Sequence, residues 1–149
     1  MRIIPDGYAP LGISQGFVAQ CGGFYVHAER PVLAMRVLPE HLNSASVAHG
    51  GFLATLADAA FGTFIKRRLD YSGMPLTVSL NLDYISAVRE GDWLEAQVDV
   101  HKVGARLANA SCLLKVGDKL VLRSSGTFIL PARPRSPVPT QNNVSGVPR

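Results

Sequence analysis

Hydrophobic and polar positions along the 149-residue chain change their period twice, and each change marks a class of element. Residues 1–23 carry five glycines and two prolines with weak periodicity, which predicts an N-terminal arm holding one short helix. Phe24 to Glu29 and Val32 to Leu38 read as two strands, with Arg30-Pro31 as the turn between them. From Gly50 to Leu69 the pattern is mostly apolar and long enough for a helix. Its closing Lys66-Arg67-Arg68 sets positive charge against the negative end of the helix dipole, and the following "DYSGMP" supplies stop chemistry. After Pro75 the period becomes two. In "TVSLNLDY", Val78, Leu80, Leu82 and Tyr84 fall on one face and Thr77, Ser79, Asn81 and Asp83 on the other.

Three further strands are expected at Trp93 to Val100, Arg106 to Lys115 and Lys119 to Leu130, so that four strands follow the helix in meander. A helix apolar nearly all round has to be wrapped rather than laid on a surface. The prediction is an α+β fold in which an antiparallel sheet of five or six strands curves around one long central helix. The domain is placed at residues 24–131. From Ala132 the composition is Pro, Ser, Asn and Arg without a packable pattern, and a disordered tail over 132–149 is expected.

Composition changes this picture little. The net charge is +4, but Arg133, Arg135 and Arg149 lie in a terminal stretch without acids; the rest of the chain carries +1, too little for a nucleic-acid face. Cys21 and Cys112 are far apart and form no CxxC pair, which fits a reducing, cytoplasmic setting. The apolar run from Gly50 to Ile65 is too short to span a bilayer. Asp58 at its centre would add roughly 2.5–3.5 kcal/mol to insertion. No membrane association is expected.

That aspartate is the first chemical signal. A carboxylate in an apolar helical run is costly unless it is paired or functional. The second signal is the helix start. Its first backbone N–H groups have no intrahelical partner and sit at the positive dipole end, so Gly50 and Gly51 can offer bare backbone to a carbonyl. Equally, the two glycines can serve close packing. Gly51 and Asp58 share one helical face, but Asp58 lies ~12 Å along the axis from Gly50. Reacting groups must approach to about 3–3.5 Å, so one helix cannot bring both to a single carbon. Two antiparallel copies across a two-fold axis can. The geometry predicts a dimer with composite sites in which Asp58 is nucleophile or general base.

Asn43, the His49-Gly50-Gly51 run six residues on, and Asp58 eight residues after Gly50 resemble the motif of the hotdog-fold thioesterases. The match is to the phenylacetic-acid-degradation (PaaI-like) acyl-CoA group, and it covers about Phe24 to Pro131. It implies hydrolysis of an acyl-CoA thioester to free acid and CoA, without metal or cofactor, by a homodimer that pairs into a dimer of dimers. It also implies that the Asn43 amide binds the carbonyl or positions the attacking water, although by residue type alone Asn43 is a turn former. In this pattern His49 braces the loop beside the bound substrate and leaves the Gly50 amide exposed. A Ser or Thr hydroxyl beside the carboxylate is common in such proteins, which nominates Thr77 and, two residues on, Ser79. The family glycine three residues after the asparagine is replaced here by Ser46. For the CoA phosphates Arg106 is nominated first, ahead of Lys102 and the Lys66–Arg68 cluster. Phe52, Leu53, Phe61 and Phe64 can line an acyl tunnel or simply form core.

Two rivals share the fold. A hydroxyacyl-thioester dehydratase wants a histidine paired with the acid, and only His49 is near. A non-catalytic acyl-CoA-binding domain has no need of Asp58. A serine hydrolase is set aside for want of a nucleophile elbow. His41 and His49 lack metal-ligand spacing, and no metal is expected.

Overall fold

The computed structural model describes residues 3–135. Seven strands form one antiparallel sheet: β1 (Tyr8–Pro10), β2 (Tyr25–His27), β3 (Val32–Arg36), β4 (Leu76–Tyr84), β5 (Trp93–Val103), β6 (Leu107–Val116) and β7 (Lys119–Ile129). Two helices accompany it, α1 (Gly16–Ala19) and α2 (Gly50–Lys66). The spatial order is β1-β2-β3-β5-β6-β7-β4. The architecture is the expected one, an antiparallel sheet around a single long helix.

Two particulars differ from expectation. The seventh strand comes from the arm, where Tyr8, Ala9 and Pro10 pair with His27, Val26 and Tyr25; three residues are too few to show a period. The meander is also limited to β5, β6 and β7. β4 lies outside β7 instead of beside β5, because the helix carries the chain from β3 to the far edge of the sheet. The chain then crosses back to set β5 against β3. The expected tail falls mostly outside the described residues.

Helix α2 is built to lie on the sheet. His49 caps its start, Lys66 ends it, and Phe52, Leu53, Leu56, Ala57, Ala60, Phe61, Phe64 and Ile65 are buried on one side. They pack against inward residues of the strands, among them Leu94, Ala96, Leu114, Leu122 and Phe128. Each large side chain contributes about 1.5–3 kcal/mol by leaving water. Removing the Phe61 ring, which sits 5.2 Å from that of Phe128, would cost roughly 3–5 kcal/mol. The sheet thus curves over one side of the helix. Gly51, Thr55, Asp58, Ala59, Gly62, Thr63 and Lys66 make a second stripe of small and polar residues that the sheet leaves uncovered. Small residues in that stripe imitate an all-round apolar helix. The four aromatic and leucine positions suggested for an acyl tunnel, Phe52, Leu53, Phe61 and Phe64, are core.

A single irregularity in β4 decides which way its side chains point. Thr77 pairs with Phe128 and Ser79 with Thr127, so Val78 is an extra residue that bulges out of the ladder. Phe128 points into the core, which puts Thr77 on the inner face with Leu80 and Leu82. Strict alternation places Thr77 opposite those leucines. The bulge reverses it.

Candidate active site

Asp58 lies mid-helix on the open stripe, partly buried, and its Oδ1 accepts a 2.6 Å hydrogen bond from the Thr77 hydroxyl. The re-aimed Thr77 thus fixes the carboxylate from across the sheet. Beside this pair opens a cleft of about 880 Å3, within the size of small-molecule sites. Residues 11–18 of the arm form one wall, and Asp58, Ala59, Gly62 and Thr63 of α2 the other. Met74 and Phe128 close its end near Thr77.

The helix start is held by different contacts. His49 Nδ1 accepts the Gly51 N–H at 2.8 Å, as an N-cap does. His49 therefore braces the first turn, and the Gly51 N–H is not available to a substrate carbonyl. The Gly50 N–H has no acceptor among the described residues. The Gly50 carbonyl accepts a 2.8 Å bond from the Tyr84 hydroxyl. A side chain at position 50 would meet the Tyr84 ring at 3.3 Å, so this glycine serves close packing and leaves its amide bare at once.

Asn43 organises the loop before the helix. Its Oδ1 accepts from the amides of Ala45 at 2.9 Å and Val47 at 3.3 Å, while its own N–H donates to the Val47 carbonyl. The turn-forming role expected from residue type is thus present. The side-chain NH2 has no acceptor among the described residues and is the part left for a ligand. Ser46 keeps the backbone that a glycine would adopt, with φ +58°. Ser46 holds this left-handed conformation at some conformational cost.

Two nominated residues stand apart from the Asp58 cluster within the chain. Ser79 faces outward, paired with Thr127, and lines a polar hollow with Asn81, His101, Asn109 and Ser125 on the opposite side of the sheet. That is the side strict alternation gives it, and the bulge separates it from Thr77. Arg106 is exposed in the turn between β5 and β6, at the end of the sheet that carries Leu76 and Ile129. Among the described residues no group of three or more His, Cys, Asp and Glu converges to hold a metal.

Several contributors carry no clear signal in the sequence. Tyr84 has the pattern of an apolar strand position, yet its hydroxyl pins the helix start. His41 is buried, stacked on Phe52 at 3.9 Å between ring centroids, with Nε2 2.6 Å from the Cys21 carbonyl and Nδ1 accepting the Leu38 N–H. That pair of contacts assigns the proton to Nε2 and ties the arm to the loop before α2. The arm also corrects one expectation: Gly12-Ile13-Ser14-Gln15-Gly16 does spell G-x-S-x-G. Ser14 lines the cleft, but no histidine does, so a nucleophile elbow lacks its base.

Comparison with known proteins places this arrangement in a family. The family model described as the thioesterase superfamily matches residues 45–123. A Pseudomonas aeruginosa protein named as a candidate esterase is 39% identical over 134 residues, covering 88% of this chain and all of its own. Mouse acyl-coenzyme A thioesterase 13 is 29% identical over 101 residues, which are 66% of this chain and 71% of that protein. A mutant of the phenylacetic acid degradation protein PaaI from Thermus thermophilus superposes with a TM-score of 0.62 at 26% identity, covering 83% of this chain and 92% of the other. Motif, topology and relatives agree: the chain is a member of the thioesterase superfamily, with the hotdog fold and PaaI-like neighbours.

Proposed function

We propose that the protein is an acyl-CoA thioesterase whose working unit is a homodimer with two composite sites. The Gly50 N–H of one subunit polarises the thioester carbonyl, and Asp58 of the other, held by Thr77, attacks it directly or deprotonates the attacking water. Asn43 contributes its free NH2 to the carbonyl or the water, and His49 maintains the helix start. The observation that carries this reading is the Thr77–Asp58 pair at 2.6 Å on the open side of α2, beside the cleft. Support comes from membership of the superfamily and from the likeness to a relative named as an acyl-coenzyme A thioesterase.

Strand β4 supports the dimer. It is a sheet edge nine residues long, with Leu76 and Val78 about 60% exposed, the kind of edge that pairs with another chain. The same strand touches both halves of the chemistry, Thr77 with Asp58 and Tyr84 with Gly50. Antiparallel pairing of two β4 strands about a two-fold axis at Asn81, with Val78 of each copy bulged out of the ladder, sets Thr77 of one copy opposite Tyr84 of the other. That register brings each Asp58 toward the other subunit's Gly50, which the ~12 Å helical separation forbids within one chain. We extend the proposal to a dimer of dimers acting in the cytoplasm, and assign Arg106 to the CoA phosphates as a solvent-facing cation. The hydroxyacyl-thioester dehydratase loses ground, because the His49 Nδ1 lone pair is committed to Gly51.

The test is thiol release from acetyl-, hexanoyl-, phenylacetyl-, benzoyl- and palmitoyl-CoA by the native protein and by Asp58→Asn. A fall of about a hundredfold or more in a variant that keeps its mass is expected. Full activity in Asp58→Asn would sink the mechanism. Binding without turnover in the native protein would move the protein to the non-catalytic reading.

A further inference from the structure

Gly62 occupies the interior of a 17-residue helix, where glycine is among the least favourable residues. Such a residue usually marks a close approach by other atoms. None exists here within the chain: a Cβ built on Gly62 meets nothing within 4 Å. The empty space belongs to the cleft, four residues and one helical turn beyond Asp58 on the same stripe, ~6 Å along the axis. Facing it across the cleft is the arm, with Phe17 68% exposed although its ring is large and apolar. Met74, 54% exposed, lines the same cleft. Two exposed apolar side chains, a missing third one and an adjacent carboxylate describe a cavity with a reactive group at one end.

We infer that the acyl group of the thioester lies in this cleft between α2 and the arm, and that Gly62 is a specificity-determining residue whose missing side chain makes room for it. This inference rests on the thioesterase reading and narrows its substrate class to compact apolar acyl groups, aryl-acyl or short alkyl. With the carbonyl carbon at Asp58, a ring or short chain spans the one turn to Gly62. Beyond it the stripe ends at Lys66 and Arg67, whose charges discourage a longer apolar tail from continuing in that direction.

The experiment compares native protein with Gly62→Leu, Gly62→Ala and Phe17→Ala in kcat/KM for acetyl-, hexanoyl- and phenylacetyl-CoA. Affinity for the same thioesters is measured separately by calorimetry, and mass by light scattering. Gly62→Leu is expected to lower kcat/KM for hexanoyl- and phenylacetyl-CoA by about fiftyfold or more while acetyl-CoA changes by less than about threefold. Gly62→Ala, a better helix former, shifts the profile in the same direction by less and raises the melting temperature. Phe17→Ala weakens only the larger acyl groups. A uniform loss across all three thioesters, an unchanged profile, or a Gly62→Leu protein that alters its mass while keeping its profile would overturn the inference; the last would give the space to a second copy of the chain. Native hydrolysis with an unchanged profile overturns the inference and keeps the thioesterase. Selective loss of binding in Gly62→Leu, without turnover by the native protein, keeps the acyl cleft and overturns the thioesterase. Failure of the native protein to bind any of the three overturns both.

Discussion

The two edges of the sheet are built on opposite principles. β1 closes one side with three residues, ends at Pro10, which has no N–H to offer, and carries the Tyr8 hydroxyl bonded to Glu95 at 2.6 Å. Burial and the Glu95 carboxylate raise the Tyr8 pKa well above its ordinary value, so that hydroxyl remains a donor. Short strands and proline are the usual protection of an edge that must stay alone. β4 closes the other side with nine residues and has neither device. Its charged residue, Asp83, is neutralised by Arg123 at 3.0 Å, and its apolar side chains stand open. The undefended edge is also the one whose residues hold both halves of the candidate site. In this molecule, exposure of backbone and placement of chemistry coincide, which is what a site completed by a second copy requires.

The comparison can be broken most severely by charging one edge and then the other. Val78→Asp is expected to halve the mass in sedimentation and to lower thioester hydrolysis by about a hundredfold, because each site loses its partner's half. Ala9→Asp, the same insult on β1, is expected to change neither. Equal effects would mean that the edges do not differ in role.

A milder change sharpens the role of β4 inside the site. Thr77→Ala removes one hydrogen bond to a carboxylate, worth about 1.5 kcal/mol, and is expected to lower kcat about tenfold with the mass unchanged. Thr77→Ser, which keeps the hydroxyl, is expected to restore most of that rate. A structural role alone would show in melting temperature without this rescue.

The smallest effect concerns the loop. Ser46→Gly relieves a left-handed backbone, and a gain of up to about 1 kcal/mol is expected in urea unfolding, less the extra freedom glycine has when unfolded. A loss of stability there would show that the Ser46 side chain makes a contact worth more than the strain.

Much of the fold is legible in the sequence because its elements are long and periodic. The strands from Trp93 to Ile129 and the helix from Gly50 obey patterns that repeat several times within each element. β1 is not legible, since three residues carry no period, and the place of β4 is not, since sheet order depends on where a helix delivers the chain. Asp58 and Gly50 are singled out by residue type and spacing, while the bracing by His49 is what the resemblance implies and the N-cap bond to Gly51 matches. Thr77 is nominated by resemblance, but alternation assigns it to the wrong side of the strand, because a single bulged residue inverts the parity and leaves no mark in composition. Ser79 keeps the side that alternation gives it, so the bulge parts it from Thr77 within the chain. The acyl cleft is hidden for another reason: Gly62 and Ala59 look like part of an apolar helix, while the wall opposite them comes from an arm about forty residues earlier that shows almost no pattern.

The central claim is that Gly50 and Asp58 act together across two subunits, and mixing variants tests it. Gly50→Pro deletes the N–H at the first helical position, where the backbone accepts proline, though its Cβ presses on the Tyr84 ring at 3.3 Å and the variant's fold is checked by melting temperature and mass; Asp58→Asn deletes the carboxylate. Each homodimer is expected to be inactive. Unfolding and refolding an equal mixture makes half of the dimers mixed, each with one intact composite site, so activity is expected to return to about a quarter of the native value. An equal mixture that stays inactive, although mixed dimers are shown to form, would contradict the shared site.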